Sequence, residues 1–340
     1  MTKDKKIKFL VTGATGLVGS HLVEYIAKHG YKIRCFVRPS SDVSFLETIK
    51  NVEIVQGDLT RAVSIEKAVK GMDIVFHCAA MVSDWADRET MVRTNVGGTE
   101  NLIQACLKSK VKRMVMISSL AVLGMDEQID TDETAPYVYT GDNYNYTKIE
   151  SEKKVLEAYR EKGLPVVIVR PPYIYGPRDR QLLPRVVKFL KEGKFKFIGT
   201  GENPFSLVYV KNFVTALALL CDNDKAIGQI YHITDGHDIT RKEFIGKLAS
   251  KFGYPMPTVH VPVQVAKIAC PVLEFINKAT RSHKPPLLNK FKMKFMHTPL
   301  TFDISKAKNQ IGYKPSVPFD KALDETVEWF KKNEYLLDRA

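Results

Sequence analysis

The sequence predicts an α/β fold, with a doubly wound parallel sheet in the N-terminal half and a smaller C-terminal α/β region after it. Three observations predict it. Short apolar runs recur through residues 1–170, their hydrophobicity is continuous rather than alternating, and helix-like stretches separate them. A strand covered by helices on both faces has no solvent side and so carries no polar alternate. Strand and helix taking turns then imply parallel pairing with right-handed crossovers.

Strands are expected at Ile7 to Val11, Lys32 to Val37, Val52 to Val55, Ile74 to Phe76, Arg113 to Ile117 and Val166 to Val169. Helices are expected between them, at Val18 to Lys28, Val92 to Leu107 and Tyr144 to Glu161. After Arg170 the rhythm breaks and prolines gather at Pro171, Pro172, Pro177, Pro184 and Pro204. Residues 1–170 are therefore read as one domain, and residues 171–340 as a second region interleaved with it. Its helices are expected at Leu183 to Lys191, Asn212 to Leu220, Arg241 to Lys251 and Asp320 to Lys331.

With 44% hydrophobic and 26% charged residues over 340 positions, the chain has the makeup of a globular protein with a sizeable core. Its five cysteines are odd in number and scattered, without a Cys-x-x-Cys, so neither a disulfide framework nor a metal site is expected. The charged start lacks an apolar signal core, which makes the cytoplasm the expected compartment. The net charge is +13, and residues 171–340 carry most of it, with 27 Lys/Arg against 16 Asp/Glu. No nucleic-acid-binding motif accompanies that charge, so nucleic acid is not an expected partner and the lysines read as a solvated surface.

The first strand runs into Thr12-Gly13-Ala14-Thr15-Gly16-Leu17-Val18-Gly19. In a Rossmann-type turn the first glycine allows the bend, the second lets the backbone approach a pyrophosphate, and the third lets helix pack on strand. The positive end of the following helix then faces the phosphates, so a dinucleotide is the expected ligand. The second strand ends at Val37-Arg38-Pro39-Ser40-Ser41, with no acid before Asp42. An arginine there suits a 2′-phosphate where an acid would suit a free ribose, which favours NADP(H) over NAD(H).

Tyr144 and Lys148 stand at i and i+4, on one face of a helix. A neighbouring ammonium and an oxidised, positive cofactor are expected to lower the phenol's ordinary pKa near 10. Ser118-Ser119 closes the fifth strand and can present a hydroxyl beside them.

Together these residues resemble the extended short-chain dehydrogenase/reductase family, whose turn is Thr-Gly-x-x-Gly-x-x-Gly and whose catalytic set is Ser, Tyr and Lys. The resemblance runs almost the whole chain, through Gly57-Asp58-Leu59, His77-Cys78-Ala79-Ala80, Asn95-Val96-Gly97-Gly98-Thr99, Arg170-Pro171-Pro172-Tyr173-Ile174-Tyr175-Gly176-Pro177 and Asp303-Ile304-Ser305-Lys306-Ala307. It implies Tyr144 as proton donor or acceptor, Lys148 as the group that tunes it and holds the ribose, and Ser119 as orienter of the substrate oxygen, with Ser118 as the alternative. It also implies a cofactor shell of Gly13, Thr15, Gly16, Leu17, Gly19, Arg38, Asp58, Leu59, Ala79, Ala80, Ser118, Tyr144, Lys148 and Pro171, and it suggests a homodimer. The substrate side is expected at Ser119, Tyr173, Phe205 and Trp85, although Trp85 equally suits a loop cover.

Members of the family that bind sugar nucleotides carry an arginine where this chain has Phe205, and a phenyl ring cannot neutralise a diphosphate. Leu120-Ala121-Val122-Leu123 also lacks the acidic pair of the 4,6-dehydratases. The chain is more similar to the branch of 3β-hydroxysteroid dehydrogenases and dihydroflavonol-4-reductase-like proteins, which implies a hydrophobic alcohol or ketone as substrate. An isomerase or epimerase using transient hydride transfer, and a non-catalytic NADP-binding regulator, are the alternatives.

Between Val261 and Lys294 seven Lys/Arg and one acid are interleaved with apolar residues. The segment is too short and too polar to span a bilayer. It fits either an amphipathic helix lying on an anionic membrane or a core-facing helix with its lysines outside. His21 and His29 read as structural or exposed, and Asn95 as either a support for the site or a helix cap.

Overall fold

Burial on both faces marks the central first-half strands, Lys8–Thr12, Ile74–His77, Arg113–Ile117 and Val166–Arg170, whereas Val52–Gln56 at the sheet edge is half-exposed. Both follow from where the fold places them. The structure is a computed structural model and describes residues 6–83, 86–280, 288–334 and 337. Its strands are β1 (Lys8–Thr12), β2 (Lys32–Val37), β3 (Val52–Gln56), β4 (Ile74–His77), β5 (Arg113–Ile117), β6 (Gln128–Thr131) and β7 (Val166–Arg170). They continue as β8 (Tyr173–Tyr175), β9 (Phe197–Ile198), β10 (Pro204–Tyr209), β11 (Ile230–His232), β12 (Asp238–Thr240), β13 (His260–Val261) and β14 (Leu300–Phe302). The helices are α1 (Leu17–Lys28), α2 (Ser44–Glu47), α3 (Ala62–Val69), α4 (Arg88–Met91), α5 (Gly98–Ser109), α6 (Asn143–Lys162) and α7 (Leu183–Lys191). The remainder are α8 (Val210–Leu219), α9 (Arg241–Phe252), α10 (Val263–Ala279), α11 (Lys290–His297), α12 (Ser305–Ile311) and α13 (Phe319–Lys332).

The principal sheet has the order β11-β7-β5-β4-β1-β2-β3, and all its pairings are parallel. Every residue of β4, β5 and β7 is buried, which explains their unbroken apolar runs. Phe9 and Val11 point to the face covered by α1 and α8, while Leu10 points to the face covered by α3, α5 and α6. The chain winds outward from β1 through β2 to β3, then returns and winds the other way from β4. The reversal between β1 and β4 opens a crevice at the strands' C-terminal ends, the usual ligand position in such sheets.

Interleaving is visible in both directions. Strand β11 from the second half completes the principal sheet, and β6 from the first half joins the second sheet, of order β12-β10-β14-β6 with β8 on β10. A third core packs around that sheet, from Leu123 and Ile149 to Phe244, Leu300 and Phe330.

One helix differs from the expected single run of Val92 to Leu107. Val92–Gly97 is π-helical and α5 begins only at Gly98. A Cβ at Gly98 would lie 2.9 Å from Leu59 Cβ, so the small residue lets the helix close on the β3 loop. The wider turn carries Asn95 inward, and such turns recur at functional positions.

Candidate active site

The glycine turn divides its labour among its three glycines. Gly13 has φ +67°, and a Cβ there would lie 2.8 Å from the Ala79 backbone, so both bend and clearance need glycine. A Cβ on Gly19 would lie 2.2 Å from the Gly13 carbonyl, which holds α1 against the turn. Gly16 is different. It has ordinary extended backbone, and its added Cβ would meet only the Gly13 oxygen at 3.3 Å. The fold gives little reason for glycine at 16, whereas a phosphate approaching the uncapped start of α1 gives a good one. On this ground the residues fit a dinucleotide, with Thr15 and Leu17 on either side of Gly16.

Around the crevice, Arg38 is exposed at the end of β2. Asp58 follows β3, and its carboxyl is held below the usual range mainly by the Thr60 N–H and hydroxyl, with smaller help from Arg61 and Arg38. Leu59 is nearly buried beneath the start of α5. Ala79 and Ala80 follow β4, half-buried, and the Ala79 N–H donates to Thr12 Oγ1 at 3.2 Å.

That hydroxyl belongs to a buried relay. Thr99 Oγ1 donates to the Asn95 carbonyl at 2.6 Å, so it accepts from His77 Nε2, 3.0 Å away. Neutral His77 then carries its proton on Nε2, and Nδ1 accepts from Thr12 Oγ1 at 2.9 Å. Burial pulls the His77 pKa down to about 3 and keeps the ring neutral. The relay ties the ends of β1 and β4 to the π-helical turn.

The acid–base residues come from β5 and α6. Asp142 caps α6 by accepting from the Asn145 N–H at 2.8 Å, and Gly163 ends it in the left-handed conformation. Lys148 is buried, and its Nζ donates to the Ile117 carbonyl at 2.9 Å. It lies 5.8 Å from the centre of the Tyr144 ring. Burial brings its pKa down to about 8 against the opposing pull of Glu152. The half-buried Tyr144 phenol is pushed up to about 12 by burial, with a hydrogen bond to Ser119 drawing it partly back. The expected lowering of this phenol is therefore not produced by the chain's own groups, because desolvation, helped by the Asp142 charge, outweighs the Ser119 hydroxyl. Ser119 Oγ also accepts from the Ala121 N–H at 3.1 Å, while the buried Ser118 Oγ has no hydrogen-bond partner among the described residues. Ser119, Tyr144 and Lys148 thus converge at the crevice, and Ser118 next to Ser119 is buried.

Two supports were missed in the sequence. Asn145 Nδ2 donates to the Ala121 and Val138 carbonyls at 2.7 and 3.0 Å, fixing the serine loop to α6. Glu152 stands one turn beyond Lys148 and pairs in the core with Arg170, with Nη2 to Oε2 at 2.7 Å, while Tyr137 donates to the same carboxylate at 2.9 Å. The i, i+4, i+8 spacing of Tyr144, Lys148 and Glu152 was the available signal for the acid. Asn95 is a support and not a helix cap. Its side chain exchanges hydrogen bonds with the Met81 backbone and donates to Thr147 at 3.1 Å.

On the other wall, the Pro171 carbonyl accepts from the Leu120 N–H at 2.9 Å, and Tyr173 donates to Asp179 at 2.6 Å while its ring meets Phe295 edge-on. Phe205, expected on the substrate side, stands within an aromatic cluster. It is 4% exposed, packed against Phe244 and Phe295, with the Arg241 guanidinium 4.7 Å above its ring. An arginine therefore does occupy this neighbourhood, but its N–H groups donate to the Asn203, Phe295 and Thr298 carbonyls. It is a tie between segments, not a waiting anion site. His21 is buried rather than exposed, with Nδ1 against the Leu17 carbonyl. Trp85 lies outside the described residues.

Comparison with known proteins follows this geometry. Residues 9–234 match the NAD dependent epimerase/dehydratase family. The chain is 32% identical over 346 residues to 3beta-hydroxysteroid-dehydrogenase/decarboxylase isoform 1 of Arabidopsis thaliana, covering 94% of this chain and 79% of that one. It is 30% identical to the sterol-4-alpha-carboxylate 3-dehydrogenase, decarboxylating, of Mus musculus, covering 96% and 91%. Among solved structures, gox2253 matches with a TM-score of 0.81 at 29% identity, covering 97% and 99%. DesIV, a dTDP-glucose 4,6-dehydratase from Streptomyces venezuelae solved with NAD, matches in fold with a TM-score of 0.79 at 24% identity, covering 97% and 98%.

The chain belongs to the NAD dependent epimerase/dehydratase family, the extended short-chain dehydrogenases/reductases. It is a dehydrogenase/reductase of that family acting on CH–OH groups.

Proposed function

We propose that the protein interconverts a secondary alcohol and a ketone on a hydrophobic, sterol-, lipid- or flavonoid-like substrate, with NADP(H) as cofactor. The observation that carries this reading is the convergence of Ser119, Tyr144 and Lys148 at the open ends of the strands, beside the glycine turn. Exposed Arg38, with no acid at the end of β2, supports NADP(H). The aromatic wall of Tyr173, Phe295 and Phe205, and the sterol dehydrogenases among the relatives, support an apolar substrate.

Gly13 to Gly19, Arg38, Asp58, Leu59, Ala79, Ala80, Ser118, Pro171, Tyr144 and Lys148 would hold the cofactor. When bound, it supplies the hydride acceptor or donor and, when oxidised, a positive charge. In the reducing direction Tyr144 Oη gives its proton to the substrate oxygen, and Ser119 Oγ orients that oxygen. Lys148, largely protonated below its pKa of about 8, places a positive charge near the phenol and favours its ionised form.

The test is a screen of NADPH oxidation, and of NADP⁺ and NAD⁺ reduction, against sterols, 3-oxo lipids and flavonoid ketones. A reduced or oxidised product in step with cofactor turnover is expected. Tyr144→Phe is expected to lower turnover by roughly 10²–10⁴-fold while leaving cofactor affinity in place. Near wild-type rates in that variant would remove Tyr144 from the chemistry. Product formation with no net cofactor consumption would make the protein an epimerase or isomerase.

A further inference from the structure

The outer face of α10 is apolar where a surface helix is ordinarily polar. Val265, Ile268, Val272, Phe275 and Ile276 are 53, 72, 53, 72 and 51% exposed. Their spacing sets them in one stripe along the helix. With Ala269 and Leu273, Val265, Ile268 and Val272 line a shallow surface groove of ≈350 Å³. The inner face holds the helix in place, for Ala266 and Cys270 are buried in one cluster with Ile198 and Met293 of α11. The stripe is therefore not left over from loose packing. The fold seats one side of the helix and presents the other.

Charge indicates what the stripe meets. The surrounding sequence from 261 to 294 carries seven Lys/Arg to one acid. Lys267 on α10 and Lys290 at the start of α11 are both exposed. The single acid, Glu274, accepts from the Lys290 N–H at 2.9 Å. A second copy docked stripe to stripe would bring two basic borders together, whereas a surface of anionic headgroups complements both the lysines and the apolar row. Among the described residues no helix is long and apolar enough to cross a membrane.

We propose that α10 is a membrane-docking helix, lying in the headgroup region of an anionic bilayer with Val265, Ile268, Val272, Phe275 and Ile276 inserted and Lys267 and Lys290 at the phosphates. Helix α11, on which α10 rests, carries Phe295 against Tyr173 and Phe205. Docking through α10 thus brings the bilayer to the substrate wall, a consequence that rests on the apolar-substrate reading given above.

Vesicle flotation tests the docking without any turnover, so it stands or falls apart from that reading. The full-length protein is mixed with vesicles of phosphatidylcholine alone or with added phosphatidylserine, at low and high ionic strength. Flotation with the anionic vesicles at low salt, weakened by salt, is expected. Ile268→Asp with Phe275→Asp is expected to abolish it, and Lys267→Gln or Lys290→Gln to weaken partitioning roughly fivefold each. Thermal melting of each variant checks its fold, and these exposed positions are expected to leave the melting temperature unchanged. Absence of flotation at low salt would overturn the proposal, as would equal flotation of the double Asp variant. Concentration-dependent self-association in sedimentation, abolished by the same double variant, would assign the stripe to a second copy of the chain instead.

Discussion

Lowering the pH from 7 to 5.5 is expected to destabilise this protein through its buried histidines, and His77 makes the effect traceable to the cofactor crevice. Burial pulls His21, His77 and His232 each down from 6.5 to about 3. In the unfolded chain these rings take up protons below pH 6.5, whereas in the fold they stay neutral until about pH 3. The unfolded state binds more protons across that window, so stability is full above pH 6.5 and is lost as the pH falls. From pH 7 to 5.5 the loss is about 1.2 kcal/mol for each histidine and roughly 4 kcal/mol for the three. Asp235 and Asp238, whose carboxyls are raised by burial, act in the opposite sense, so the comparison that isolates one ring is with His77→Gln. That variant keeps a donor toward Thr99 but removes the acceptor for Thr12, at a cost of about 1–3 kcal/mol at pH 7. Urea unfolding at the two pH values is the assay. The loss on acidification is expected to be about 1.2 kcal/mol smaller in the variant than in wild type. Equal losses would refute the reasoning, as would an NMR titration of folded His77 near pH 6.5.

Other substitutions separate the roles of the site's parts. Gly16→Ala is expected to leave the urea midpoint nearly unchanged, because its Cβ meets only one protein oxygen, yet to weaken dinucleotide binding roughly tenfold or more in a fluorescence titration. Arg38→Asp is expected to shift the ratio of NADP⁺ to NAD⁺ affinity toward NAD⁺, and an unchanged ratio would remove Arg38 from cofactor choice. Glu152→Gln leaves Arg170 buried without its partner and is expected to cost about 3–5 kcal/mol in unfolding measurements. The same variant removes the group that raises the Lys148 pKa, so any alkaline loss of cofactor binding is expected to begin at lower pH than in wild type.

Strands β1 to β5 and β7 and helices α1, α5 and α6 were legible in the sequence because their signals are local, whereas β6 and the short helices α2, α3 and α4 were not read. Strands β2 and β5 fall at the limits expected from their largely apolar runs, and the three-glycine turn and the Tyr144–Lys148 spacing each lie within a few residues. The π-helical turn at Val92–Gly97 was not legible. It adjoins Gly98, whose close approach to Leu59 is a contact between distant segments.

What the sequence determined by itself was the kind of sheet and the residues whose chemistry would meet a dinucleotide and a substrate oxygen. These follow from periodicity and short fixed spacings. Only the tertiary structure decided the rest. It paired Glu152 with Arg170 across 18 residues, and His77 with Thr12 across 65 and Thr99 across 22. It buried Phe205 under Arg241, whose own N–H groups are taken up by backbone carbonyls. It also divided α10 into a seated face and an exposed apolar face, where the sequence allowed either a core-facing or a membrane-facing helix. Desolvation and partner choice depend on which distant residues meet, and no local pattern specifies that.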